Sequence, residues 1–194
     1  MARTKVFDEQ EVLDQAMDLF WSKGYQATSA QDLVDHLNIS RSSLYGTYGD
    51  KHSLFVRALE RYRAQRVAPL LERADTVEDP EGYLREVFEG ARVDALAERP
   101  ARGCFLINST VELAGSDADV AAIGQAIMRE TEAAVRKVIA RGQESGVFSR
   151  RHSAEAYARY LLNALNGLRV TVKFDAGDPT FDDILTVSLN TLKP

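Results

Sequence analysis

The chain has one cysteine, Cys104, so it can close no internal disulfide and offers no paired thiolates for a zinc or iron–sulfur site. Its three histidines, His36, His52 and His152, are scattered, and none falls in an H-E-x-x-H arrangement. The phosphate-cradling G-x-x-x-x-G-K-[ST] loop and the G-x-S-x-G nucleophile turn are also missing. These absences remove the commonest metalloenzyme, nucleotide-binding and serine-hydrolase readings, and no metal, cofactor or catalytic group is expected. No apolar run reaches about eighteen residues, the length needed to cross a bilayer. The opening MARTKVFDEQE lacks the apolar centre of a signal peptide, which leads us to expect a cytoplasmic protein with no membrane partner. There is no internal repeat, low-complexity tract or alternating strand pattern. The formal charge of -5 argues against indiscriminate nucleic-acid binding.

What is present is helical. With 194 residues, 45% of them hydrophobic, the chain can bury one good core and a small second one. Punctuation at Pro69, Pro80, Pro100, Gly103, Gly115, Gly142, Gly146, Gly177 and Pro179 separates segments with helical spacing. The pattern predicts a long helix over residues 51–75, broken near Pro69, and further helices over 81–98, 103–114, 118–145, 153–175 and 181–192. Acid pairs at Asp117 and Asp119, and at Glu130 and Glu132, read as solvated helix surface.

The most informative stretch runs from Thr28 to Phe55. Leu33, Val34 and Leu37 have the spacing that gives a helix one buried stripe, leaving His36 on its exposed face. Thr28 or Ser29 supplies the capping hydroxyl, with Asp32 as the capping-box acid. Asn38 tolerates the left-handed conformation of a tight turn, Ile39 plugs the gap, and Ser40 caps a restart. The next helix, residues 41–46, has Leu44 as its one clear core residue; the rest are hydroxyls, a guanidinium and a phenol, suited to base edges and phosphates in a major groove. A bare surface hairpin would share the spacing but not this composition. Between Leu37 and Arg66 six bases (Arg41, Lys51, Arg57, Arg61, Arg63, Arg66) face two acids (Asp50, Glu60), a local +4, although those from Arg57 onward also fit the solvated face of a long helix. Arg3 and Lys5 form a basic arm ahead of the first helix.

This segment resembles the N-terminal domain of the TetR family of transcriptional repressors. The resemblance rests on Val12, Ala16, Leu19, Phe20, the run from Gly24 to Thr28, Leu33, the turn Asn38-Ile39-Ser40, the pairs Leu44-Tyr45, Asp50-Lys51 and Leu54-Phe55, and Tyr48. It covers roughly residues 8 to 56. Asn38 stands where the family has a turn glycine, Val34 where alanine is common, Ser42 where glycine is common, and Thr47 where histidine is common. The resemblance implies an all-α fold: a three-helix helix-turn-helix domain at residues 1–50 and a helical ligand-binding and dimerisation domain at 51–194. It implies base contacts from Gln31, Arg41, Ser42, Ser43 and Gly46, and phosphate contacts from Thr28, Tyr45, Thr47 and Lys51.

Apolar residues occupy nearly the whole circumference of residues 154–172 and recur over 181–192, so these helices must bury two faces. A second copy of the chain is the economical partner. We assign Tyr157, Leu161, Leu165, Leu168, Ile184, Leu185 and Ser188 to the dimer interface. The family also holds a small-molecule inducer inside the bundle, for which Tyr62, Phe88, Cys104, Ile107, Asn108, Val111 and Glu112 are the candidates. The polar row that follows Cys104 needs partners, which a ligand can supply. This stretch further resembles a branch of the family whose cysteine senses electrophiles, but a lone cysteine in an apolar run equally fits a small core residue. A ligand-responsive dimeric repressor of double-stranded operator DNA is the leading expectation. A DNA-binding regulator or architectural protein without small-molecule input, and a helical enzyme or interaction module, are the alternatives.

Overall fold

Short side-chain caps set where the first four helices begin. Asp8 accepts from the N–H groups of Gln10 and Glu11 at the start of α1 (Glu9–Lys23). Of Thr28 and Ser29 it is Ser29 that caps α2 (Ala30–Leu37), and the capping box is complete, because the Asp32 carboxylate accepts from the Ser29 N–H at 2.7 Å. Asn38 sits at φ 50° and ψ 37°, the left-handed conformation its side chain tolerates. Ser40 then accepts from the Ser43 N–H and opens α3 (Arg41–Tyr48), which runs two residues beyond the expected 46. Asp50 opens α4 (Lys51–Tyr62) by accepting from the Ser53 N–H.

The computed structural model describes residues 7–96, 102–174 and 178–194, the side chains of 94–96 and 178 excepted. The basic arm at Arg3 and Lys5 lies outside them, as do positions 97, 98 and 175 of the expected helices. All regular elements among the described residues are helical. The long helix expected over 51–75 is present but changes its winding before Pro69. Residues Arg63–Val67 form a π-helical turn, in which the Ala68 N–H reaches back five residues to the Arg63 carbonyl, and α5 (Ala68–Ala74) follows. Pro69 has no N–H to give the Gln65 carbonyl and its ring would strike that oxygen; widening the turn ahead of it relieves both problems.

The remaining elements are α6 (Pro80–Leu96), α7 (Phe105–Leu113), α8 (Ala118–Glu144), α9 (Ala154–Thr171) with a 3₁₀ turn at Val172–Phe174, and α10 (Asp178–Asn190). Pro80 occupies the start of α6, where its missing N–H costs nothing. Two cores result. The larger gathers α6, α8, α9 and α10 around Leu84, Phe88, Ile139, Leu161 and Leu165. The other joins Val12, Phe20, Leu33, Leu44, Phe55 and Tyr62 to Cys104, Phe105, Leu113, Val120 and Ile127. The reader's core therefore continues past residue 50 into α4, α7 and the first half of α8. It is bound to the cavity-bearing domain through shared packing, not through a linker.

Candidate nucleic-acid interface and ligand cavity

α3 (Arg41–Tyr48) leaves most of its polar residues accessible. Arg41, Ser42 and Gly46 are exposed, and Ser43, Tyr45 and Thr47 are half-buried. Leu44 and Tyr48 anchor the opposite face, and the Tyr48 hydroxyl donates to the Glu9 carbonyl at 3.0 Å, fixing α3 against α1. The Ser40 hydroxyl lies 3.0 Å from that of Ser42 and 2.9 Å from that of Ser43, so the hydroxyls at the tip of the helix are mutually oriented. Gln31 is exposed on α2, its amide donating to Asp35 one turn on. His36 is exposed, as expected.

Two residues assigned to phosphates are engaged within the chain. Thr28 is buried, and its hydroxyl donates to the Gly24 carbonyl at 2.5 Å, closing the turn between α1 and α2. The Lys51 ammonium donates to the Tyr25 and Thr28 carbonyls, each at 2.9 Å, and sits 4.2 Å from the centre of the Tyr25 ring. Turn carbonyls lack the N–H donors a helix interior would give them, and a lysine entering from α4 donates to two of them. The local excess of base is also smaller than the count of residues implied. Arg61 forms a two-pronged pair with Asp14, which holds the Asp14 carboxyl below the usual carboxylate range, and Arg63 pairs with Glu130 and Glu60. Arg57 lies over the Tyr48 ring.

Behind the reader lies a cavity of about 360 Å³, walled by the π turn and α5, α6, α7, α8 and α9. Of the ligand candidates, Tyr62, Cys104 and Ile107 line it, with the Cys104 sulfur 3.3 Å from the Tyr62 hydroxyl. Cys104 is thus a packed core residue whose environment includes the cavity. The other candidates are placed elsewhere. Phe88 is buried in the larger core on the side of α6 away from the cavity lining. Asn108 turns back to donate to the Arg102 carbonyl at 2.8 Å. Val111 is 81% exposed. Glu112 points to the reader, accepting from the N–H groups of Tyr25 at 3.1 Å and Gln26 at 2.7 Å. The reason is rotational: α7 turns its first residues to the cavity, and its last turn then faces the exit of α1. No signal along the chain marked the turn at Tyr25 and Gln26 as the partner of a residue 86 positions away.

The joint has further ties. His52 Nε2 lies 2.8 Å from an Asp117 oxygen, linking α4 to the start of α8, and Arg102 stacks 4.4 Å from the centre of the Trp21 ring and pairs with Asp18. Asp117 and Asp119, read as solvated surface, come together with His52, one ligand atom from each lying within 4.8 Å of the others. Capping of α8 by Asp117 and its pairing with His52 account for that geometry without an ion.

The two-faced character expected of α9 and α10 is seen, but the faces are sorted differently. Tyr157, Leu161, Leu165, Leu168, Leu185 and Ser188 are buried within the protomer, because their spacing makes the inner stripe of each helix. Only Ile184 of the assigned set is exposed, as are Tyr160, Val170 and Val187 on the same two helices. Sequence reasoning assigned the inner stripe to the interface because a helix apolar all round does not say which face its own domain takes.

The first part of the chain, residues 12–58, matches the family model for bacterial regulatory proteins of the tetR family, and residues 81–186 match the tetracyclin repressor-like C-terminal domain. The chain is 33% identical to the HTH-type transcriptional regulator YezE of Bacillus subtilis, over 99% of this chain and 100% of that protein. It is 27% identical to the HTH-type transcriptional repressor ComR of Escherichia coli, over 98% and 90%. Among solved structures, a cysteine-substituted form of the TetR family regulator CifR complexed with 26-bp operator DNA superposes with a TM-score of 0.85 at 23% identity, covering 98% of this chain and all of that one. Reduced NemR of E. coli superposes with a TM-score of 0.84 at 16% identity, covering 96% and 97%. No helix among the described residues is long and apolar enough to cross a membrane. With the helix-turn-helix, the helical domain behind it and full-length relatives all in agreement, the chain belongs to the TetR family of DNA-binding transcriptional regulators, a family of regulators and not of enzymes.

Proposed function

We propose that the protein is a homodimeric repressor that binds a pseudo-palindromic operator and is released from it by a small-molecule inducer. One observation carries this reading: a continuous helical run starts beside α3 at Lys51 and itself forms the cavity wall from Tyr62 to Leu71. A ligand that fits one orientation of this run better than another biases the position of the reader, which is the differential affinity that coupling between sites requires. Two copies joined through the outer faces of α9 and α10 present two α3 helices to grooves about 34–36 Å apart. Gln31, Arg41, Ser42, Ser43 and Gly46 then face base edges, and Tyr45 and Thr47 face phosphates. The relative ComR is itself a repressor, and CifR was solved on its operator. Operator DNA in a bacterium is cytoplasmic, and so is this protein.

A mobility-shift titration on the DNA upstream of its own gene, run at graded salt, tests the reading. The expected result is a specific complex containing two chains, weakened by added salt. Absence of any specific complex at low salt overturns it.

A further inference from the structure

The walls of the cavity carry enough chemistry to name the class of its ligand. Most of the lining is hydrocarbon, contributed by residues such as Leu70, Val87, Leu106, Ile127, Val135 and Leu162. Two guanidiniums, Arg66 and Arg169, also line it. Among the described lining residues Glu86 is the one carboxylate, and it is held by an ion pair with Arg73.

Arg169 is half-buried on α9, and its side chain donates to the neutral amide oxygen of Asn166, at 3.2 Å, with no carboxylate partner among the described residues. A neutral amide orients a guanidinium but leaves its charge uncompensated beside hydrocarbon, which is unfavourable until an anion arrives. Among the described residues the Asn166 amide nitrogen has only the Met128 sulfur, 3.8 Å away, and a thioether is a weak acceptor. One turn of α9 thus offers the cavity a cation and, three residues earlier, a poorly used N–H donor, the pairing that a carboxylate accepts.

We infer that the cavity takes a small amphipathic acid, an apolar body ending in a carboxylate that binds Arg169 and Asn166. A cationic ligand would meet the Arg169 guanidinium, and a bare inorganic anion would leave the hydrocarbon walls unfilled. The volume is near the lower end for ligand pockets, which run from about 300 to 1,000 Å³, so the body is short. This inference rests on the reading of the cavity as the inducer site and narrows it.

Calorimetric titration of the intact protein with octanoate, octanol and octylammonium tests it. Octanoate is expected to bind at least about tenfold more tightly than the other two, and Arg169→Gln to weaken octanoate by about tenfold or more while leaving octanol unchanged. Unchanged octanol binding also shows that the variant is folded. Arg169→Lys keeps the charge and is expected to restore part of the preference. Equal binding of octanoate and octanol by the unaltered protein, or an Arg169→Gln variant that keeps full octanoate affinity, overturns the ligand class while the cavity reading stands. If none of the three binds, the ligand class and the ligand-responsive reading fail together.

Discussion

The carboxylate of Glu112, at the end of α7, accepts from the backbone N–H of Tyr25 with one oxygen and from that of Gln26 with the other. The same helix begins at the cavity with Cys104, Leu106 and Ile107. Cavity and reader are therefore joined along a single nine-residue helix, a shorter route than the path through α4. Glu112→Ala is expected to leave two N–H groups without their charged acceptor and, because the site is solvent-accessible, to cost about 1 kcal/mol, a fall of roughly 2–4 °C in melting temperature. Differential scanning calorimetry checks it; an unchanged melting temperature would show that water replaces the carboxylate at no cost.

Lys51 and Arg41 separate structure from recognition. Lys51→Met removes two bonds to turn carbonyls and is expected to lower both thermal stability and affinity for every DNA sequence. Arg41→Ala, at an exposed position on α3, is expected to leave the melting temperature alone and lose sequence preference, by about 1–3 kcal/mol of discrimination. Anisotropy titrations on operator and scrambled duplexes, paired with thermal melts, distinguish the two. A Lys51→Met protein with full stability and a salt dependence reduced by about one unit would return Lys51 to the phosphates.

Val187 and Leu161 test which face of the terminal helices meets the partner. Val187 is 56% exposed and Tyr160 43%, whereas Leu161 is buried. Val187→Glu is expected to give folded monomers by light scattering, since a charge on that strip is desolvated only in the dimer. Leu161→Ala is expected to lose about 2–5 kcal/mol of folding stability instead. A dimeric Val187→Glu protein would place the interface elsewhere.

Acid should loosen the reader from its own first helix. The hydrogen bonds from Arg61 hold the Asp14 carboxyl below its ordinary value of 3.8. A carboxylate depressed in the folded state contributes stability that is present above its unfolded value and is lost as pH falls through the folded one. Urea unfolding of the protein and of Asp14→Asn is expected to differ at pH 7 and to converge as pH falls below 3.8 and through the lower folded-state value, where the carboxylate is protonated in both states. A difference that persists unchanged at low pH would mean that Asp14 acts through packing alone.

Cys104 is buried, as are Phe105 and Leu106 after it. A bulky disulfide reagent is expected to label it slowly in the native protein and at once in urea. Fast native labelling would show that the cavity admits large reagents to the thiol.

Local chemistry was legible along the chain because it is short-range. The caps at Ser29 and Ser40, the left-handed Asn38, the lone buried Leu44 of the reading helix and the break near Pro69 all follow from contacts within a few residues. From these the sequence by itself determined an all-helical regulator with a helix-turn-helix at its start. Tertiary structure alone decided the rest, for one physical reason: periodicity tells which residues share a face but not what that face meets. That is why Glu112 and Lys51, both polar and well placed for a ligand or a phosphate, turned out to clasp the same turn from Tyr25 to Thr28. It is also why the inner stripe of α9 could not be told from its outer one until α6, α8 and α10 had claimed a side.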